Sequence, residues 1–161
     1  MANAKKAVPE GYHTITPQLT LSDAARAIDW YKKALGAEER GRFPGPDGKI
    51  MHAELRIGDS QFMLNDEVMG QKAPKSLGGS PASFWLYVDD SDSLYKRAVD
   101  AGAKVQMPIT DQFWGDRAGS VADPAGYTWW ISTRKEDLTQ AEIQQRAADF
   151  FKQMTQGAGQ R

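Results

Sequence analysis

The chain has 161 residues, with 20 basic residues against 21 acidic ones for a formal net charge of −1, and it has no cysteine. That balance argues against a nucleic-acid partner, which calls for a basic surplus or stripe. The missing thiols exclude disulfides, zinc–thiolate sites and cysteine nucleophiles. A hydrophobic fraction of 40% that includes five Trp, five Tyr and six Phe is the composition of a folded core, not of a disordered chain.

Residues 1–8 carry two lysines with no apolar run behind them, so they are expected to form an arm and not a signal peptide. No apolar run approaches the roughly 18 residues of a membrane span. Residues 15–21 read as the first extended segment, with Pro17 favouring a strand start. Ala24, Ala27, Ile28, Tyr31 and Leu35 then recur at helical spacing. Gly36 is placed to end that helix in a left-handed cap. Extended structure resumes over 37–43, and Pro44-Gly45-Pro46-Asp47-Gly48 reads as a tight turn. Residues 50–57 form a strand by their alternation, with 61–64 as its partner beyond Gly58-Asp59. The stretch 65–81 shows little periodicity and reads as a loop or linker.

In the second half, 84–88 reads as a strand and about 91–101 as a helix, followed by Gly102 and a strand through Met107. Residues 108–114 read as a connection. Residues 119–122 and 127–132 are strand candidates around the turn Asp123-Pro124-Ala125-Gly126. Thr139 and Glu142 have capping-box spacing at the start of a last helix. Its apolar stripe is Ile143, Ala147, Phe150, Phe151 and Met154, and the end after Met154 should fray. That stripe has two readings, packing on the chain's own sheet or covering a partner subunit.

An offset of 66 residues places Asp23 over Asp89, Ile28 over Leu94 and Gly36 over Gly102. Each copy reads strand, helix, strand, strand, strand. The expected fold class is therefore α+β, with paired βαβββ modules over 11–66 and 82–133. Together they form a curved mixed β-sheet around a cleft, with an extra C-terminal helix over 139–156, as one domain.

The sequence holds no phosphate-binding loop, complete dinucleotide fingerprint, paired-histidine zinc motif, calcium loop or nucleophile elbow. Its two histidines are His13 and His52. On a strand with a side-chain period of two, His52, Glu54 and Arg56 share one face. Facing a cleft, His52 and Glu54 could act as base and orienting acid or hold one metal; facing water, they are ordinary solvent-side residues. In Gln112-Phe113-Trp114-Gly115-Asp116-Arg117 the rings either plug the end of the cleft while Asp116 pairs with Arg117, or Trp114 and Arg117 contact a ligand. Trp85 and Tyr87 share a face, whereas Trp129 and Trp130 must point to opposite faces. These rings belong either to core and interface or to a platform for a flat or cationic ligand.

The paired modules, Asp29-Trp30-Tyr31 before Leu35-Gly36, and the turn Asp123-Pro124-Ala125-Gly126-Tyr127 resemble the glyoxalase/bleomycin-resistance/dioxygenase superfamily, also called vicinal oxygen chelate, over about 11–134. Met51-His52-Ala53-Glu54-Leu55, Phe113-Trp114-Gly115-Asp116-Arg117 and Glu136-Asp137-Leu138 resemble its PhnB-like branch. The resemblance puts the metal-ligand positions at Thr16, Glu54, Ser83 and Trp130. Of these only Glu54 is a strong ligand type, with His52 a second group and Gln18 a weak third. It therefore implies a small-molecule binding protein of the bleomycin-resistance type that uses no metal or other cofactor. Gln18, Trp85, Trp114, Arg117 and Trp130 are its candidate ligand contacts, and His52 and Glu54 its candidate catalytic pair. The alternatives are a glyoxalase-like lyase or dioxygenase-like enzyme with an altered metal site, and a structural or regulatory protein. A cytoplasmic homodimer is expected, with no nucleic-acid or membrane partner.

Overall fold

The computed structural model describes residues 6–158. The expected arm over 1–5 and the tail over 159–161 lie outside the described residues. In chain order the elements are β1 (Gln18–Leu21), α1 (Ala24–Leu35), β2 (Glu38–Pro44), β3 (Ile50–Ile57), β4 (Ser60–Asp66), α2 (Pro74–Leu77), β5 (Ser83–Tyr87), α3 (Ser91–Asp100), β6 (Lys104–Asp111), β7 (Asp116–Ala122), β8 (Thr128–Arg134) and α4 (Gln140–Ala158). The strands form two four-stranded mixed sheets, ordered β1-β4-β3-β2 and β5-β8-β7-β6. β1 and β5 run parallel to β4 and β8, and the remaining pairs are antiparallel. The helix after each first strand supplies the crossover that a parallel pair requires.

The two modules share a register that differs by one residue from the sequence superposition. Asp23 caps α1 by accepting from the Arg26 amide at 3.0 Å, and Asp90, not Asp89, caps α3 by accepting from the Ser93 amide at 3.0 Å. Counted from these caps, the buried positions Ala24, Ile28 and Tyr31 correspond to Ser91, Tyr95 and Ala98. The first helical amide is met alike in both: Ala24 donates to Asp66 at 2.7 Å, and Ser91 to the Thr133 hydroxyl at 2.8 Å. Each acceptor lies at the end of the strand that pairs with the module's first strand, so sheet and helix are locked where an unpaired helix amide would otherwise be buried.

The modules are joined through α1 and α3. Arg97 of α3 donates to the Lys33 and Lys32 carbonyls at the end of α1, at 2.6 and 3.1 Å, and the Trp30 indole donates to the Ala101 carbonyl at 2.9 Å. Tyr31, fully buried, packs edge-on against Trp129 at 5.6 Å and Phe62 at 5.9 Å, making one core across both modules. Burying a side chain of this size is worth about 1.5–3 kcal/mol.

Three stretches depart from expectation. A short helix, α2, interrupts the 65–81 loop, with Pro74 at its first turn, where the missing N–H costs nothing. β6 continues through Pro108 to Asp111, because it is an edge strand and its ladder shifts register between Met107 and Thr110. α4 continues past Met154 to Ala158. Its start is a full capping box: the Thr139 amide and hydroxyl donate to Glu142 at 2.8 and 2.7 Å, and the Glu142 amide returns to the Thr139 hydroxyl at 3.3 Å. Arg146 ties α4 to Glu136 with two bonds of 2.9 and 2.8 Å, while Phe150, Phe151 and Met154 remain exposed. Among the described residues no helix is long and apolar enough to cross a membrane.

Candidate ligand-binding site

Alternation along β5 and β8 sends Phe84, Leu86, Trp129 and Ile131 toward the core and leaves Trp85, Tyr87 and Trp130 on the other face. Trp85 and Trp130 are cross-strand partners, and their indoles stack with centroids 4.6 Å apart and planes 1° from parallel. Tyr87 lies 6.2 Å from Trp85 at 25°, and Trp114 meets Trp85 edge-on at 6.3 Å. Trp85 is 41% exposed and Tyr87 63%, so the platform is open on one side.

Trp114 reaches this face from the turn between β6 and β7. The turn closes through the Gln112 amide on the Asp116 carbonyl at 2.7 Å and the Gly115 amide on the Gln112 carbonyl at 3.0 Å. Gly115 has φ +94°, and a Cβ there would stand 2.9 Å from the Glu136 carbonyl oxygen, so glycine is required twice over. Asp116 is the hub of the group. It is 4% exposed, and its Oδ2 accepts from both the Tyr87 hydroxyl and the Trp114 indole at 3.1 Å. Burial, and then the Asp116 carboxylate, hold the Tyr87 phenol above its ordinary pKa. Ser132, cross-strand from Tyr87, is fully buried with a hydroxyl that has no partner among the described residues.

A second, polar group lies on the first sheet. His52 Nε2 is 3.3 Å from Glu54 Oε1, and the Phe43 ring lies 5.9 Å from His52. Tyr12, from the segment before β1, brings its buried hydroxyl against Glu54. Among the described residues no acceptor meets full hydrogen-bond geometry with it, but Glu54 lies close enough that burial first, then the carboxylate, push its pKa up to about 12. Gln18 donates to Asn65 at 2.7 Å, and Asn65 donates onward to Gln71 at 2.6 Å.

The structure thus brings Trp85, Trp114 and Trp130 together, and separately His52 with Glu54. Among the described residues no hydrogen bond, ion pair or ring contact joins the two groups. Arg117 is in neither, and it does not pair with Asp116. It alternates with Asp116 along β7 and binds Asp92 at 2.5 and 2.7 Å and Asp111 at 3.2 Å, which hold its guanidinium firmly protonated. Sequence reasoning placed Tyr87 on the right face without making it a site residue, and it missed Asp116 as acceptor and Tyr12 altogether. The two-residue step from Trp114 to a carboxylate, across a glycine, is the one local signal that could have singled out Asp116.

The four metal positions implied by the resemblance do not fit a metal. The Thr16 hydroxyl donates to the His13 carbonyl at 3.1 Å, and Trp130, whose indole is a donor only, lies flat on Trp85. Among the described residues no three His, Cys, Asp or Glu side chains converge. A borderline metal needs several such donors.

A model of the Glyoxalase/Bleomycin resistance protein/Dioxygenase superfamily matches residues 12–131. The uncharacterized protein Mb0911c of Mycobacterium bovis is 48% identical over 135 residues, covering 81% of this chain and 89% of that protein. The crystal structure of TioX from Micromonospora sp. ML1 is similar at 28% identity with a TM-score of 0.62, covering 76% of this chain and 98% of that one. A bleomycin-binding protein complexed with bleomycin shares the fold at 20% identity and a TM-score of 0.55, covering 78% of this chain and 99% of that one. With that model spanning both modules from Tyr12 to Ile131, the chain belongs to the glyoxalase/bleomycin resistance protein/dioxygenase superfamily.

Proposed function

We propose that the chain is a metal-independent small-molecule binding protein that takes a flat ligand on Trp85, Trp114 and Trp130. The observation that carries this reading is the stacked Trp85–Trp130 pair left partly open to solvent. Such contiguous aromatic surface is costly to leave wet and marks a binding site more often than an idle surface. A protein of this fold forms a complex with bleomycin, and sequestration of a drug or metabolite is the corresponding use here. The reading also places the chain in the PhnB-like branch, as a cytoplasmic homodimer. Light scattering over a dilution series tests the assembly, and a monomeric mass throughout the micromolar range would count against it.

Tryptophan fluorescence during titration with planar aromatic compounds tests the binding. Saturable quenching is expected, weakened about tenfold or more by W85A, since one ring–ring stack is worth about 1–3 kcal/mol by alanine substitution. Unchanged affinity in W85A and W130A would remove the proposal.

A second reading, an enzyme with an altered site, is favoured by one observation: His52 and Glu54 lie 3.3 Å apart, with the buried Tyr12 hydroxyl beside the carboxylate. Turnover abolished by E54Q, in a protein without bound metal, would establish it.

A further inference from the structure

The aromatic face holds a feature that stacking alone does not need. Asp116 is almost completely buried, and its Oδ2 takes two hydrogen bonds, both from neutral ring donors. No cation pairs with it among the described residues. Its chain neighbour Arg117 is spent on Asp92 and Asp111. Arg134, opposite Asp116 in the β7–β8 ladder, donates instead to Asp137 at 2.8 Å. A buried carboxylate without a counter-charge is unfavourable to folding, and here the two ring donors are what offset that cost.

The position of the two donors also gives the carboxylate a use. An indole N–H or phenol O–H that donates to a carboxylate leaves its ring richer in electrons, and the attraction of a cation for an aromatic face rests on that negative face. Asp116 does this to Tyr87 and Trp114 together, and both rings flank Trp85. The carboxylate therefore sits at the polar edges of both rings and enriches them, acting there against Arg134, whose charge pulls the Tyr87 phenol in the opposite sense.

Building on the reading that this face binds a ligand, we propose that the ligand class is an organic cation. It is a flat ring system bearing a quaternary or protonated nitrogen, held by Trp85, Tyr87 and Trp114, with Asp116 as the charge that selects it. Asp116 touches the rings and not the ligand, so it acts as a specificity-determining residue through them.

The test is calorimetric titration of the full chain with N-methylacridinium and with acridine at mildly alkaline pH. These share one ring skeleton and differ in charge. N-methylacridinium is expected to bind about tenfold or more tightly than acridine, in line with the upper part of the cation–π range. D116N, nearly the same shape, is expected to bring the cation's affinity down toward that of acridine. Equal saturable binding of both compounds by the wild-type chain would overturn the cation proposal and leave the stacking reading intact. Binding of neither would overturn both. If near-ultraviolet circular dichroism shows that D116N disturbs the tryptophans, the wild-type comparison alone decides.

Discussion

The Tyr31 hydroxyl, on the first module's helix, donates across 2.8 Å to the Asp123 carboxylate in the second module's last turn. The same carboxylate accepts from the Trp129 indole at 2.9 Å and from the Ala125, Gly126 and Tyr127 amides. One buried anion thus closes the turn between β7 and β8 and clamps the two modules together.

Removing the Tyr31 hydroxyl should therefore be costly. Y31F is expected to lower the unfolding free energy by about 1.5–3 kcal/mol, the range for a bond to a charged group. Urea denaturation at neutral pH measures this. An unchanged midpoint would mean that the Trp129 indole and the amides suffice.

Alkaline pH should act on the same contact. Burial first, and then Asp123, raise the Tyr31 pKa well above 10.0, and burial chiefly raises those of Tyr95 and Tyr127. The Tyr12 phenol stands at about 12. A group whose pKa is higher in the folded state adds stability below its unfolded value, and that stability is lost as pH climbs toward the folded one. The urea midpoint should hold to about pH 10 and then fall, less steeply in Y31F. A midpoint that stays level to about pH 12 would contradict this.

The Trp85–Trp130 stack should register as a coupling energy. Stacked aromatic pairs contribute about 0.5–1.5 kcal/mol beyond their buried area. A double-mutant cycle with W85L and W130L, read by denaturant unfolding, is expected to fall in that range. Strict additivity would show that the two rings are merely neighbours.

Gly115 should tolerate no side chain. G115A combines an unfavourable φ of +94° with a contact of 2.9 Å to the Glu136 carbonyl, for an expected loss of about 1–3 kcal/mol. Because the turn carries Trp114, the variant should also alter the near-ultraviolet circular dichroism. A spectrum and stability like those of the parent would show that the turn relaxes freely.

Metal content should be low. Protein purified without chelator or metal-affinity resin is expected to carry far less than one transition metal per chain, because Glu54 and His52 alone are too few donors. Elemental analysis decides it, and a stoichiometric metal that disappears in E54A would restore the metal-dependent enzyme as the leading reading.

Much of this molecule follows from periodicities that the backbone itself imposes. Helical spacing from Ala24 to Leu35 and the left-handed Gly36 define α1. Alternation over Ile50–Ile57 places His52 and Glu54 on one face, and alternation also separates Trp129 from Trp130. Local geometry sets these features, so local sequence carries them. The 66-residue offset sets Asp89, not the cap Asp90, over the cap Asp23, because the spacing from cap to glycine differs between the modules. The assembled fold settles that Trp130 lies on Trp85, since their contact depends on the parallel pairing of strands far apart in the chain. It likewise settles that Arg117 turns to Asp92, that Tyr12 lies against Glu54, and that Asp116 gathers two ring donors. A charged or hydrogen-bonding side chain takes its partners from whatever the fold brings within about 3 Å, and spacing along the chain does not encode that distance.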